Sequence, residues 1–161
     1  MNTISKKKKL LGEDNSNYLL SLNNLATFYT KIGEFDKSEK LYLEILQKKK
    51  RLSGEEDISY TKYLSNIGIL YDKKGDFKLS EQYFIKALQI REKILGKQNL
   101  DSAHSLNNLG TLYVKLNDFK KAELYLSNAL KIKSILLGEK NLDYALNLNN
   151  LANCYLDQNK Y

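Results

Sequence analysis

Apolar residues recur along this chain at the spacing of a single helix face. Leu22, Leu25, Ala26 and Tyr29 stand at positions i, i+3, i+4 and i+7, which places them on one side of an α-helix. The same face returns three times: Leu64, Ile67, Gly68 and Tyr71; Leu106, Leu109, Gly110 and Tyr113; and Leu148, Leu151, Ala152 and Tyr155. The pattern predicts four amphipathic helices of the same kind.

A second apolar stripe follows each of the first three faces, after a short break. The breaks are Gly33-Glu34-Phe35, Gly75-Asp76-Phe77 and Asn117-Asp118-Phe119, and their glycine or asparagine suits a helix C-terminal cap. The second stripes are Ser38, Tyr42, Ile45 and Leu46; Ser80, Phe84, Ala87 and Leu88; and Ala122, Leu126, Ala129 and Leu130. Each unit is therefore predicted to be a helix–turn–helix hairpin that buries its apolar face only by stacking on its neighbours.

The hairpins follow a period of 42 residues, marked by Gly12, Gly54, Gly96 and Gly138. This register predicts repeats at residues 12–53, 54–95 and 96–137, with a truncated fourth repeat at 138–161. Residues 1–11 align with the end of a second helix, so the lysine run 6–9 is interpreted as the C-terminal end of an upstream repeat. Because both ends fall within a repeat, we expect the chain to be part of a longer array or an array without caps.

The order large-x-x-Leu-Gly/Ala-x-x-Tyr, then small-x-x-x-aromatic-x-x-Ala, resembles the tetratricopeptide repeat. Leucine replaces the tryptophan of that signature, the terminal proline is missing, and the unit is about eight residues longer than the usual 34. The string Leu-Asn-Asn-Leu-Ala/Gly-x-x-Tyr with a closing Leu-Gly is similar to the long repeats of kinesin light chains. The resemblance implies an all-α solenoid, wound as a right-handed superhelix, of about three and a half repeats.

Composition narrows the classes of protein that the chain can represent. It has no proline, and its apolar runs are too short to span a bilayer, so no membrane association is expected. The single cysteine, Cys154, cannot form an internal disulfide, which fits a reducing compartment, and we expect a cytoplasmic location. The formal charge is +7, and four of these charges come from the lysine run, so the remainder is only mildly basic.

A row of polar residues lies opposite the apolar stripe of each first helix. In a stacked array these rows would line the inner wall, where the resemblance implies that an extended peptide binds to asparagine and neighbouring basic residues. The predicted partner-binding residues are Asn24, Asn66, Asn108, Asn150, Lys31, Lys62, Lys73, His104 and Lys115. Asparagine has amide donors and an acceptor that match the peptide groups of an extended chain, and it is a mediocre helix former.

Each of these assignments has a structural alternative. The asparagines could bond neighbouring repeats, and the lysines could simply offset the negative ends of helix dipoles. His104 is the only histidine, and the repeats supply no further metal ligands or nucleophile–base pair around it. Cys154 is predicted to be a packing residue because it takes the place of Phe28, Leu70 and Leu112.

These features predict a non-catalytic protein–protein interaction scaffold or adaptor without cofactor or metal. Its partner would be a protein or extended peptide, with an acidic character favoured by the first three repeats because Asp157 breaks the lysine series. Self-association through the uncapped ends is also expected. The alternatives are a regulatory segment of a larger signalling or enzymatic protein and a nucleic-acid-binding solenoid. The latter is disfavoured because the row has few arginines or stacking aromatics.

Overall fold

The computed structural model describes residues 15–158, which form seven α-helices and, within that range, no strand. The all-α prediction is therefore confirmed. The predicted upstream helix tail, residues 1–11, lies outside the described residues, as do residues 12–14 and 159–161. The helices are α1 (Ser16–Lys31), α2 (Phe35–Ser53), α3 (Ile58–Lys74), α4 (Phe77–Leu95), α5 (Leu100–Lys115), α6 (Phe119–Leu137) and α7 (Leu142–Gln158).

Polar residues at the helix starts explain where the first helix of each hairpin begins. The side chain of Asn15 accepts a hydrogen bond from the backbone N–H of Asn17, and Asp57 does the same for Ser59. Asn99 caps α5 by accepting from the N–H of Ser102. Such caps satisfy backbone donors that have no partner inside the helix, so they fix the start of α1, α3 and α5.

The turns inside the hairpins depend on residues that tolerate a left-handed backbone. Gly75 has φ of 84°, and the N–H of the following Asp76 donates to the carbonyl of Tyr71, as in a Schellman motif. Asn117, with φ of 58°, takes the same role after α5. The predicted breaks are thus helix caps, and α4 and α6 start at Phe77 and Phe119 immediately after them.

Both predicted stripes form the core of the three hairpins α1–α2, α3–α4 and α5–α6. Leu64, Ile67, Leu109 and Leu126 are almost completely buried. The small residues in the stripes allow the paired helices to pack closely. At Gly68 the approach is so close that an added Cβ would lie 2.5 Å from the Phe84 ring. We propose that the repeats begin at Gly12, Gly54, Gly96 and Gly138. Each of the last three directly follows the end of a helix.

The first helices also contact one another across neighbouring hairpins, α1 with α3 and α5 with α7. In α7 the apolar stripe is only partly covered. Leu151 and Cys154 are buried, whereas Leu148 and Tyr155 are 45% and 40% exposed. Cys154 therefore packs in the interior, as the sequence predicts.

Candidate partner-binding groove

The polar row of the first helices includes a crevice of about 320 Å³ between α5 and α7. It brings together two of the predicted binding residues, Lys115 and Asn150. The other lining residues come from the same two helices: Thr111, Val114, Asn153, Leu156 and Asp157. The surface that carries the predicted row is thus concave at this point. It combines two asparagine amides, one positive and one negative side chain, and an exposed leucine.

Two of the four predicted asparagines bond to the preceding hairpin. The amide Nδ2 of Asn66 donates to Oδ1 of Asn23 at 2.7 Å, and Nδ2 of Asn150 donates to Oδ1 of Asn107 at 2.9 Å. One amide hydrogen of each residue therefore has the structural role of bonding neighbouring repeats. The other N–H and the carbonyl oxygen make no further hydrogen bond within residues 15–158, so each side chain retains a donor and an acceptor.

The other two asparagines keep their whole amide free of hydrogen bonds to the described residues. Asn24 is exposed and Asn108 is half-buried. In the chain, Ser65 stands where Asn23 and Asn107 stand in the neighbouring repeats, and its buried hydroxyl has no hydrogen-bond partner among the described residues. Serine in place of asparagine thus leaves Asn108 without the bond that Asn66 and Asn150 make.

The predicted lysines also fall into two groups. Lys115 bonds both carboxylate oxygens of Asp72 in the preceding hairpin, at 2.7 and 2.5 Å, so its charge is largely compensated. Lys31, Lys62 and Lys73 are exposed and make no ion pair within the described part of the chain. Since Lys31 and Lys73 lie in the last turns of α1 and α3, they also oppose the helix dipole there.

His104 lies on α5 in the row position of Lys62 and is exposed. Partial desolvation lowers the pKa of His104 below its usual value of 6.5, and the nearby positive charge of Lys133 lowers it further. The carboxylates of Asp143 and Asp101 act in the opposite direction but do not reverse the shift. The imidazole is therefore neutral near pH 7 and offers the groove a hydrogen-bonding group rather than a charge.

Sequence reasoning missed several polar residues that join neighbouring hairpins. Tyr71 and Tyr155 were assigned to the apolar stripe, yet their hydroxyls donate to Glu39 and Glu123 at 2.8 and 2.7 Å. A constant spacing of 32 residues between each glutamate and its tyrosine was the available signal.

Sequence reasoning also missed two buried cations, one near the C-terminal end of α4 and one near that of α6. Arg91 donates to the hydroxyls of Thr61 and Ser105 and to the carbonyl of Asp101, while Lys133 donates to the carbonyl of Asp143 at 3.2 Å. Burial lowers the pKa of both Arg91 and Lys133. These side chains connect hairpins and face away from solvent, so they are not available to a partner.

Neither a metal cluster nor a membrane-spanning helix is found within the described part of the chain. Residues 15–158 contain no cluster of three or more histidine, cysteine, aspartate or glutamate side chains that could hold a metal ion. Over the same range, no helix combines the length and the hydropathy needed to cross a membrane.

Helical hairpins stacked in register, with a polar row along their first helices, define a helical-repeat solenoid. A family model described as tetratricopeptide repeat matches residues 17–93 and 62–135, which together make up more than half of the chain. The chain therefore belongs to the tetratricopeptide repeat family. No curated protein shows a significant match to it.

Similar solved structures include BtubC (BKLC) from P. vanneervenii, with 25% identity and a TM-score of 0.77 over 87% of this chain. The match spans only 56% of the BtubC chain. A putative kinesin light chain from Podospora anserina with nearly identical TPR-like repeats is 16% identical, and the match covers 98% of this chain and 74% of that one. Its TM-score is 0.75, and that of a single-substitution variant of the same protein is 0.77. These structures support a fold of the kinesin-light-chain type.

Proposed function

We propose that the chain is a protein–protein interaction scaffold whose first helices bind an extended peptide or partner domain. The observation that carries this proposal is the set of polar groups in the groove that the fold leaves unused. Among residues 15–158, no hydrogen bond uses the amides of Asn24 and Asn108, and Asn66 and Asn150 each use only one amide hydrogen. A peptide backbone offers the complementary donors and acceptors at regular intervals.

The charge of the groove favours an acidic partner. Lys31, Lys62 and Lys73 make no ion pair within the described residues, whereas Asp72, on the same helix as Lys62 and Lys73, is already bound by Lys115. The excess positive charge thus belongs to α1 and α3, while Asp157 on α7 carries the opposite sign. An acidic segment would therefore bind towards the α1 end of the groove, and its association would slow as salt is added.

A peptide recovered from a peptide array tests the proposal when its affinity is measured for matched variants. Asn108→Ala should weaken binding about 2- to 12-fold, because each lost hydrogen bond contributes about 0.5–1.5 kcal/mol. Its melting temperature should stay at the wild-type value, since no hydrogen bond of the described protein is lost. Asn66→Ala should also weaken binding but lower stability slightly, because it removes the 2.7 Å bond to Asn23.

Asn149→Ala is the matched control, because Asn149 is an exposed asparagine of the same kind of helix but lies one position outside the predicted row. Its affinity should equal that of the wild type. Equal affinities for Asn108→Ala, Asn66→Ala and Asn149→Ala would refute the groove proposal and place the partner on another face.

The proposal extends to self-association at the α7 end and to a cytoplasmic location. Leu148, Tyr155 and Leu156 are exposed on α7, so two copies could cover this apolar surface together. Sedimentation velocity over a broad range of protein concentration tests this, and Leu156→Lys should shift the protein towards monomer. The cytoplasmic location depends on Cys154, whose buried thiol suits a reducing compartment.

A further inference from the structure

A second crevice of about 320 Å³ lies between the C-terminal parts of α4 and α6, over α5. It shares no lining residue with the crevice between α5 and α7. Leu106 and Ile132 contribute to its lining, and Ile135 and Leu136 at its edge are 61% and 47% exposed. Two large aliphatic side chains that remain in water beside a concavity are typical of a protein interaction site.

The corresponding place between α2 and α4 carries ion pairs instead. There, Glu55 bonds Lys50 at 2.5 Å and Lys86 at 2.8 Å, so it links the end of α2 to the body of α4. Glu56 forms a further ion pair with Lys93. Lys93 takes the repeat position of Ile135, so of the two edge positions only that of Leu136 carries an exposed aliphatic side chain here, Ile94.

One period later, the residues that form these ion pairs are all replaced. Lys50, Glu55 and Lys86 become Glu92, Lys97 and Asn128, while Glu56 and Lys93 become Gln98 and Ile135. Within residues 15–158, neither Glu92 nor Lys97 takes part in an ion pair, and the aliphatic Ile135 replaces a charged end. The second junction has thus lost its internal links and gained apolar surface at the same positions.

The charges around this crevice specify the occupant. Lys97 and Lys131 both line it without an ion pair among the described residues, whereas Glu92 is the only carboxylate in the lining. The cations can therefore bond carboxylates that flank an apolar group, and the aliphatic edge can bury that group. We propose that this crevice is a second docking site, which receives one large apolar side chain flanked by carboxylates on a segment of a partner protein.

Three acetylated and amidated pentapeptides serve as probes: leucine between two pairs of glutamates, serine between the same glutamates, and leucine between two pairs of lysines. Each is titrated to millimolar concentration while the methyl NMR signals of Ile132, Ile135 and Leu136 are followed. The glutamate–leucine peptide should give saturable shifts at these methyl groups. The serine peptide should bind at least about tenfold more weakly, and the lysine peptide at least about threefold more weakly.

The repeat itself supplies the matched variant. Replacing Glu92→Lys, Lys97→Glu, Gln98→Glu, Asn128→Lys and Ile135→Lys installs the residues of the first junction, which already pack in this fold, so the variant should remain helical and lose the shifts. Ile135→Lys alone provides a second variant with a single surface change, and it should weaken binding at least about fivefold. If the glutamate–leucine peptide shifts none of the three methyl groups, or binds both variants as tightly as wild type, the proposal is wrong.

The readout separates this site from the groove of the first helices. A peptide that perturbs the amides of Asn108 and Thr111 but none of the three methyl groups supports the groove and refutes the second site. In Asn108→Ala, shifts at Ile135 should persist with unchanged affinity. Failure of the groove proposal would leave these methyl shifts intact, so the two proposals fail independently.

Discussion

The hydroxyl of Tyr71 donates a 2.8 Å hydrogen bond to the carboxylate of Glu39, from α3 to the second helix of the preceding hairpin. Tyr113 and Glu81 are bonded in the same way one period later. Hydrogen bonds from Lys74 and Tyr71 lower the pKa of Glu39, so the acceptor is ionised near neutrality. Each contact therefore joins consecutive hairpins through a charge-assisted hydrogen bond beside the apolar core.

Tyr71→Phe should lower the free energy of unfolding by about 1 kcal/mol, because it removes this hydrogen bond but keeps the ring stacked on Tyr83. Urea denaturation measures the loss. Tyr29→Phe is the matched control, since Tyr29 has the same repeat position and its hydroxyl makes no hydrogen bond within residues 15–158. It should change stability by less than about 0.5 kcal/mol. Equal losses in the two variants would show that the bond to Glu39 contributes nothing.

Gly68→Ala tests how closely α3 and α4 approach. The new Cβ would lie 2.5 Å from ring atoms of the buried Phe84, and an aromatic ring cannot bend away. Overpacking costs about 1–3 kcal/mol, whereas alanine recovers about 1 kcal/mol of helix propensity, so we expect a net loss of about 1–2 kcal/mol. The combination with Phe84→Leu should cost less than the sum of the two single changes. A Gly68→Ala protein more stable than wild type would contradict the close packing.

The ion pairs of Glu55 should make the stability of the protein depend on pH in the acid range. Hydrogen bonds from Lys50 and Lys86 lower the pKa of Glu55 from 4.5 to about 2 on folding. A carboxyl group with a lowered pKa stabilises the fold above its unfolded pKa, and this contribution is lost as the pH falls from 4.5 towards 2. Because solvent reaches Glu55 and screens its charge, its share is less than about 1 kcal/mol. Wild type should exceed Glu55→Gln in stability at pH 7, and the difference should shrink over that acid range. A constant difference would exclude the linkage.

The fold could be predicted from the sequence because helical periodicity and a 42-residue repeat depend only on residue type and spacing. Leu64, Ile67 and Leu109 are buried wherever neighbouring hairpins stack, whatever the detailed angle between them. The caps at Gly75 and Asn117 follow for the same reason, since a left-handed residue has to end the helix there.

Side-chain pairs between hairpins were beyond sequence reasoning, because they depend on the rotation and separation of the helices. Asn66 and Asn108 are equivalent in the repeat, yet only Asn66 finds an asparagine partner across the junction. Likewise, Lys115 bonds Asp72, whereas the residue that would correspond to Asp72 one period earlier is Thr30. A regular row of residues therefore predicts a surface but not which of its members remain available to a partner.

The last prediction compares the two buried cations and concerns Lys133→Arg. Arg91 reaches the Ser105 hydroxyl and the Asp101 carbonyl, and the same positions one period later are Asn147 and Asp143. Lys133, only 4% exposed, bonds the Asp143 carbonyl, whereas the buried Oδ1 of Asn147 has no hydrogen-bond partner among the described residues. An arginine at position 133 would place donors near both acceptors, so it should satisfy the orphaned oxygen.

A buried acceptor that gains a partner should stabilise the protein by about 1–3 kcal/mol, so Lys133→Arg should raise the melting temperature. Arg91→Lys is the reciprocal variant and should lower it, because a lysine cannot bond Thr61, Ser105 and the Asp101 carbonyl with the same planar fork. Lys133→Arg combined with Asn147→Ala should lose the gain, which separates the new hydrogen bond from better packing of the arginine stem. If Lys133→Arg destabilises the protein while Arg91→Lys has no effect, the two junctions do not hold their cations in the same way.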